Sequence, residues 1–398
     1  MNMKLARRMD SFEESATMEV AGRITALNAK GKDIISFAAG EPDFDVPEPA
    51  KEAAIKAIRE GKNKYAPVAG NDQIKTAIVE FTSRQLGVDY AKSQCIVSMG
   101  AKHSLYNISQ VLFDEWDEVI IFSPYWVTYP SQVLLAGAKP VFVNCRPENG
   151  FNPDMDELKS KITSATKAII LNSPCNPTGA VYSNETIRKI ADIAVNDDIY
   201  LISDEIYDAI VYDGHKHLSP VQLGADVKDR TILVNGMSKS FSMTGWRLGH
   251  ALGPEPIIKA MVKLQSQSTS NPVTPLMLAA AEALKDTAFF ATRASEFKKR
   301  RDIIVGALNS MDGISCVVPK GAFYAFPNFN GWLGKKFDGE VIRDSAQLAN
   351  VLIDHAGVGP VPGVAFGAEG YLRFSYAMAT ERIEEGMRRL KAFGERLA

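Results

Sequence analysis

The sequence predicts an α/β fold built on a largely parallel sheet, followed by a smaller α+β portion. Three observations carry this. From about residue 50 to 285, short β-branched runs alternate with segments of helical period, the pattern of successive βα units. Several of these runs are apolar on both faces, as strands covered by helices on each side must be. From about residue 290 the alternation gives way to a charged helix and short runs set between glycines and prolines.

Taken in order, the first 47 residues open with a helix-prone piece and end in Gly40-Glu41-Pro42-Asp43-Phe44. Strands are expected at Cys95–Ser98, Glu118–Phe122, Val141–Asn144, Ala168–Asn172, Tyr200–Ser203 and Thr231–Val234. A charged helix near Glu296–Asn309 leads to Ile314–Val318 and then to Gly321–Phe326. A helix and two more short strands follow, the last at Leu372–Ser375. The expected domains are a large one over 48–290 and a small one formed by 1–47 with 291–398. A chain of 398 residues suits two domains better than one.

Composition narrows the function classes. A net charge of -2 gives no reason to expect nucleic acid or an anionic membrane as partner. The longest apolar runs, Ala168–Leu171 and Val119–Phe122, fall far short of the ~20 residues that span a bilayer. Basic Lys4, Arg7 and Arg8 are followed by Asp10, Glu13 and Glu14, where a signal peptide needs apolar residues. Cys95, Cys145, Cys175 and Cys316 lie far apart without a C-x-x-C, which suits a reducing cytoplasm and argues against a zinc or other metal site.

The chemistry-bearing residues cluster where ligands bind in such sheets, beyond the carboxyl ends of the strands. Gly100-Ala101-Lys102 follows the first strand and opens a helix; Pro124-Tyr125-Trp126 follows the second. Asn176-Pro177-Thr178-Gly179, Asp204-Glu205-Ile206-Tyr207 and Ser238-Lys239, with Arg247 eight residues further on, follow three others. Singly, each has a plainer explanation. Lys239 is a surface lysine, Asp204 a helix cap, Asn176 a turn residue, Trp126 core packing and Gly100 a turn glycine. Arg373, in Tyr-Leu-Arg-Phe-Ser-Tyr, is a strand residue facing water.

As an ordered set they suit a pyridine-ring cofactor bearing an aldehyde and a phosphate. A lysine of lowered pKa condenses with the aldehyde. An aspartate keeps the ring nitrogen protonated, and tyrosine and asparagine bond the ring hydroxyl. An arginine and a helix N-terminus hold phosphate, and tryptophan stacks on the ring.

These residues resemble the class I aminotransferases of pyridoxal-phosphate fold type I, in the bacterial aspartate aminotransferase-like branch. The resemblance spans nearly the whole chain. It rests on Ala39-Gly40-Glu41-Pro42-Asp43-Phe44, Lys64-Tyr65-Ala66-Pro67-Val68-Ala69-Gly70, the three strand-end segments at Trp126, Asn176 and Asp204, and Ser238-Lys239 through Gly245-Trp246-Arg247-Leu248-Gly249. It implies a mostly parallel seven-stranded sheet in the large domain and a small domain that closes over substrate. Lys239 would be the Schiff-base lysine and proton shuttle, Asp204 the partner of the ring nitrogen, Tyr207 and Asn176 the ring-oxygen donors, and Trp126 the stacking residue. Gly100, Ala101, Lys102, Ser238 and Arg247 would hold the phosphate end. Tyr65 would reach the phosphate in the other subunit of a homodimer. Gly40, Trp126, Asn176 and Arg373 would meet the substrate, with Arg373 gripping its α-carboxylate. The implied reaction moves an amino group from an L-amino acid to a 2-oxo acid by a ping-pong route, with aspartate and 2-oxoglutarate as the expected pair.

One departure bears on substrate choice. Some dicarboxylate-using relatives carry a lysine just before a Ser-x-Thr near the N-terminus, whereas Ser15-Ala16-Thr17 here follows Glu13 and Glu14. Those acids either repel a second carboxylate, favouring alanine or aromatic donors, or are merely solvated. A β-lyase of the same fold would share the early steps. A P-loop enzyme is excluded, since Gly236-Met237-Ser238-Lys239 lacks the required glycine spacing.

Overall fold

The computed structural model describes residues 4–398. Its largest sheet has seven strands: β1 (Cys95–Ser98), β2 (Glu118–Ser123), β3 (Lys139–Asn144), β4 (Thr166–Asn172), β5 (Tyr200–Asp204), β6 (Thr231–Gly236) and β7 (Gly249–Leu252). Their order is β1-β7-β6-β5-β4-β2-β3. Strand β7 runs antiparallel to both neighbours, and the adjacent pairs from β6 across to β3 are parallel. The expected α/β class with a mostly parallel seven-stranded sheet is the fold observed.

Six strands lie where the apolar runs place them. The seventh, Gly-His-Ala-Leu, has no β-branched residue and starts on glycine, so local propensity does not mark it. Close packing fixes it instead: a Cβ at Gly236 would stand 2.9 Å from the Gly249 Cα. Parallel register then sets the rim, with Asn172 opposite Asp204 and Asp204 opposite Val234.

The covering helices follow sequence rules closely. Helix Asn184–Asn196 is capped by the Ser183 side chain, which accepts from the Thr186 amide. It buries Ile187, Ile190, Ala191 and Ala194, the i, i+3, i+4, i+7 stripe of one helix face. Helix Asp72–Leu86 starts on an Asn71 cap and stops at Gly87, whose φ of 67° suits a residue without Cβ.

Past residue 285 local reading was less accurate. The charged helix begins earlier, at Phe289, because Phe289 and Phe290 pack edge-on against Phe241 at 5.8 and 5.1 Å. Ile314–Val318 is not a strand; Ser315 makes only an isolated bridge to Asn328. Within Gly321–Phe326 only Tyr324–Ala325 is extended and paired. Leu372–Ser375 is a strand as expected, pairing with Tyr324–Ala325 on one side and Val361–Pro362 on the other. Ile35–Ser36 pairs with Val358–Gly359, joining the N-terminal segment to the C-terminal one. Such two-residue strands owe their shape to distant partners, which local pattern does not encode. Buried apolar side chains link these parts to the rim of the large sheet: Ile206 and Tyr207 share a cluster with Phe297, Phe323, Tyr324 and Phe374.

Candidate active site

Beyond the carboxyl ends of β4, β5 and β6 lies a cavity of about 570 Å³. Its wall includes Lys239, Asp204, Tyr207, Asn176, Trp126, Ala101, Lys102, Ser238, Arg247, Gly40 and Arg373. Residues from seven separate stretches of chain thus meet in one space.

Lys239 follows β6 by three residues, and its Nζ donates to the Gly40 carbonyl at 2.6 Å. Burial lowers its pKa to about 8; Glu41 opposes that shift, while Arg247 and Arg373 add to it. Asp204 ends β5 and is 3% exposed. Burial raises its carboxyl to about 6, against the hydrogen bonds it accepts from the Tyr129 hydroxyl at 2.6 Å and the Ile206 amide at 3.3 Å. Tyr207 and Tyr324 pair through their hydroxyls at 2.9 Å, and burial holds both phenols above their ordinary range.

Arg373 does not face water. It is 1% exposed, donating to Asn176 Oδ1 at 3.0 Å and to the Ala38 carbonyl at 2.7 Å. Its guanidinium lies 4.6 Å from the Tyr324 ring centre, and its Nε has no protein partner. A buried fork with an orphaned N–H fits a planar carboxylate.

At the opposite end, the turn Met99-Gly100 opens the helix Ala101–Leu112. The Ala101 and Lys102 amides have no intrahelical acceptor, so they remain free for an anion, whereas the His103 amide donates to the Gly100 carbonyl at 3.0 Å. Gly100, at φ 86°, lies against the Arg247 guanidinium: a Cβ there would stand 2.5 Å from Nη2. Gly249 approaches this turn from behind, its imagined Cβ 2.2 Å from the Ala101 nitrogen. Lys102 Nζ sits 5.0 Å from the Trp126 ring centre, its pKa lowered by burial and by Arg247. Helix and strand are tied together by buried Gln265, which accepts from Ser98 and Asn107 and donates to the Val68 and Val97 carbonyls.

Gly100 and Tyr65 do not line the cavity. Gly100 stands just behind it, whereas Tyr65 is 92% exposed in a separate groove with Thr269–Pro275. Glu13 and Glu14 are exposed and outside the cavity, so the solvated reading of those acids fits their placement; Thr17 and Met18 do line it. Sequence reasoning missed Tyr129, Asn172 and Tyr324. Asn172 ends β4 and was legible from its position; it donates to the Asp204 carbonyl and accepts from the Asn176 amide. Tyr129 and Tyr324 carried no local signal.

Comparison with known proteins places this geometry. The family model "Aminotransferase class I and II" matches residues 32–390. The aspartate aminotransferase of Bacillus subtilis is 42% identical over 99% of this chain and 100% of its own. A probable aspartate/prephenate aminotransferase of Aquifex aeolicus is 45% identical over 98% of each chain. The crystal structure of the aspartate aminotransferase from Rhizobium meliloti superposes with a TM-score of 0.96 at 39% identity, covering 100% of both chains. That of Thermus thermophilus with maleate superposes at 0.93 and 40% identity, covering 98% of this chain and 100% of that one. Family match, superposition and a lysine-centred cavity at the sheet's rim agree: this chain is an enzyme of the class I and II aminotransferases.

Proposed function

We propose that the chain is a pyridoxal-phosphate-dependent aspartate aminotransferase, working as a homodimer in the cytoplasm and passing the amino group of aspartate to 2-oxoglutarate. The observation that carries this is one cavity holding a part-buried amine (Lys239), a buried carboxylate (Asp204) and a buried guanidinium with a free N–H (Arg373).

The donor set fits the cofactor. Asp204 would face the pyridine nitrogen, and a cationic ring would favour its ionised form. Tyr207 and Asn176 would bond the ring oxygen, and Trp126 would cover the ring face. The Gly100 turn, Ala101, Lys102, Ser238 and Arg247 would hold the phosphate. Pyridoxal phosphate, when bound, supplies an aldehyde for the amine and a protonated ring that accepts the electron pair left by the α-proton.

The protein's own part is positioning and proton transfer. Arg373 would fix the substrate α-carboxylate, helped by Gly40, and so hold the α-proton within reach of Lys239. A lysine lowered to about 8 has an appreciable neutral fraction near pH 7, so Nζ is competent to take that proton and return it. The wall carries four cations (Lys102, Lys239, Arg247, Arg373) and two acids (Glu41, Asp204). That surplus suits a phosphate together with a dicarboxylic substrate.

Residues 48–290 would hold the cofactor, and 1–47 with 291–398 would close over substrate; the pairing of Ile35–Ser36 with Val358–Gly359 supports joining both termini in one unit. Four buried, unpaired cysteines support a reducing compartment.

The test mixes holoenzyme with one amino acid at a time and follows cofactor absorbance. Aspartate and glutamate should discharge the visible band. A response to alanine or aromatic donors alone would remove the dicarboxylate reading, and a band that persists in Lys239→Ala would remove Lys239.

A further inference from the structure

Behind the cavity lies a second set of ionisable groups that the reaction does not touch. Asp204 and Tyr207 face the cavity; Glu205 and Asp208, their neighbours on the same turn, face away from it. Glu205 is 1% exposed. Its Oε1 accepts from Ser203 at 2.7 Å and Ser219 at 2.6 Å, and its Oε2 lies 2.8 Å from His217 Nε2. The His217 side chain is itself only 7% exposed. Asp208 keeps some exposed surface, but its carboxylate turns inward. Oδ2 accepts from Asn235 on β6 at 2.8 Å, and Oδ1 accepts from the Ala209 amide at 2.7 Å and, more loosely, from Ser240 at 3.5 Å. Asn235 and Ser240 flank the segment that ends in Lys239.

We propose that His217 is a positioning residue: as an imidazolium it neutralises Glu205 and Asp208, and so keeps the turn bearing Asp204 and Tyr207 clamped to the loop bearing Lys239. This rests on the roles given above to those three cavity residues. The charge balance favours such a cation. Two carboxylates withdrawn from water repel each other unless a positive charge stands between them. Of the other ionisable groups nearby, Arg293 donates to the Ser240 and Asp45 carbonyls and to the Ser242 hydroxyl rather than to either carboxylate. Tyr90 is kept neutral by burial and by the charges of Glu205 and Asp229, and Lys228 lies over the Tyr90 ring at 4.5 Å, donating to the Asp89 carbonyl. Burial works against a charge on His217, yet Glu205 and Asp208 together outweigh it and raise its pKa. Burial in turn lifts Asp208 to about 6, with His217 pulling the other way.

Two measurements test this. In the cofactor-free protein, NMR should show His217, identified by its loss in His217→Gln, still protonated at pH 7.5, where an ordinary histidine of pKa ~6.5 is neutral. In the holoenzyme, the pH midpoint of the visible cofactor band should move in opposite directions in two variants. His217→Gln leaves uncompensated negative charge and should raise it by about half a unit or more; Asp208→Asn removes negative charge and should lower it. His217→Gln should also cut kcat by about 3–10-fold while leaving KM for the amino donor within about twofold, since substrate contacts are untouched. Should His217→Gln not fold, the near-isosteric Asp208→Asn still carries the test. A histidine that titrates at or below its ordinary value, or midpoints that stay put or move the same way, would overturn the proposal. A wild-type protein that shows no cofactor band would count against the cofactor reading instead, and the NMR titration would decide His217 alone.

Discussion

Asp204 and Lys239 meet the same cavity, and burial pushes each toward its neutral form. Asp204 is lifted to about 6 and Lys239 lowered to about 8, so without cofactor both carry a charge near neutral pH that the fold disfavours. For Asp204 the folded state holds its proton more tightly than the unfolded chain does. Its stability contribution therefore falls as pH rises from about 4 to about 6, and the cost persists above. For Lys239 the cost is present below about 8 and is relieved as pH rises past it. Asp204→Asn should therefore stabilise the cofactor-free protein by about 2–3 kcal/mol at pH 8 and by much less at pH 4.5. Urea unfolding at the two pH values checks this; an equal gain at both would mean that the carboxylate is not held off its ordinary pKa. Both residues were legible in the sequence because each stands at or just past the carboxyl end of an apolar strand. Tyr129 and Tyr324 were not: they meet Asp204 and Tyr207 across 75 and 117 residues of chain, and one tyrosine in a helix or short strand looks like any other.

Among the strands of the large sheet, the one that local pattern missed governs the anion end of the cavity. Strand β7 begins at Gly249, where a Cβ would stand 2.2 Å from the Ala101 nitrogen and 2.4 Å from the Gly100 carbonyl carbon. Both neighbours are backbone, so no side chain can swing aside. Gly249→Ala should push the turn out of register with Arg247, weakening cofactor binding by about tenfold or more while destabilising the fold by about 1–3 kcal/mol. Titrating cofactor into the apo variant measures this, and an unchanged affinity would show that the turn is not the binding element. The contrast with β4, β5 and β6 is instructive. Those strands are buried on both faces and announce themselves as unbroken apolar runs. β7 is short and exists because Gly236 and Gly249 let two backbones approach.

For the whole molecule, Tyr65 is the residue whose placement in a single chain makes least sense by itself. It is 92% exposed, outside the cavity, yet the Val68 carbonyl three residues on is bonded to Gln265, which also holds β1 and the helix beginning at Ala101. If Tyr65 serves the partner's site in a homodimer, mixing Lys239→Ala chains with Tyr65→Phe chains regenerates one intact site per hybrid dimer. Random exchange should then restore about a quarter of wild-type sites, at cofactor levels that leave Tyr65→Phe dimers empty. No recovery would mean that Tyr65 acts within its own chain or not at all. The same scale holds a consequence of how the cavity is walled. Its chemistry side comes from the rim of the large sheet, but Thr17, Met18, Gly40 and Glu41 on the other side come from the first few dozen residues. Descent with modification can therefore work on the two sides separately. Exchanging the opening stretch of the gene between relatives would alter which amino acid is welcomed and leave the lysine that transforms it in place.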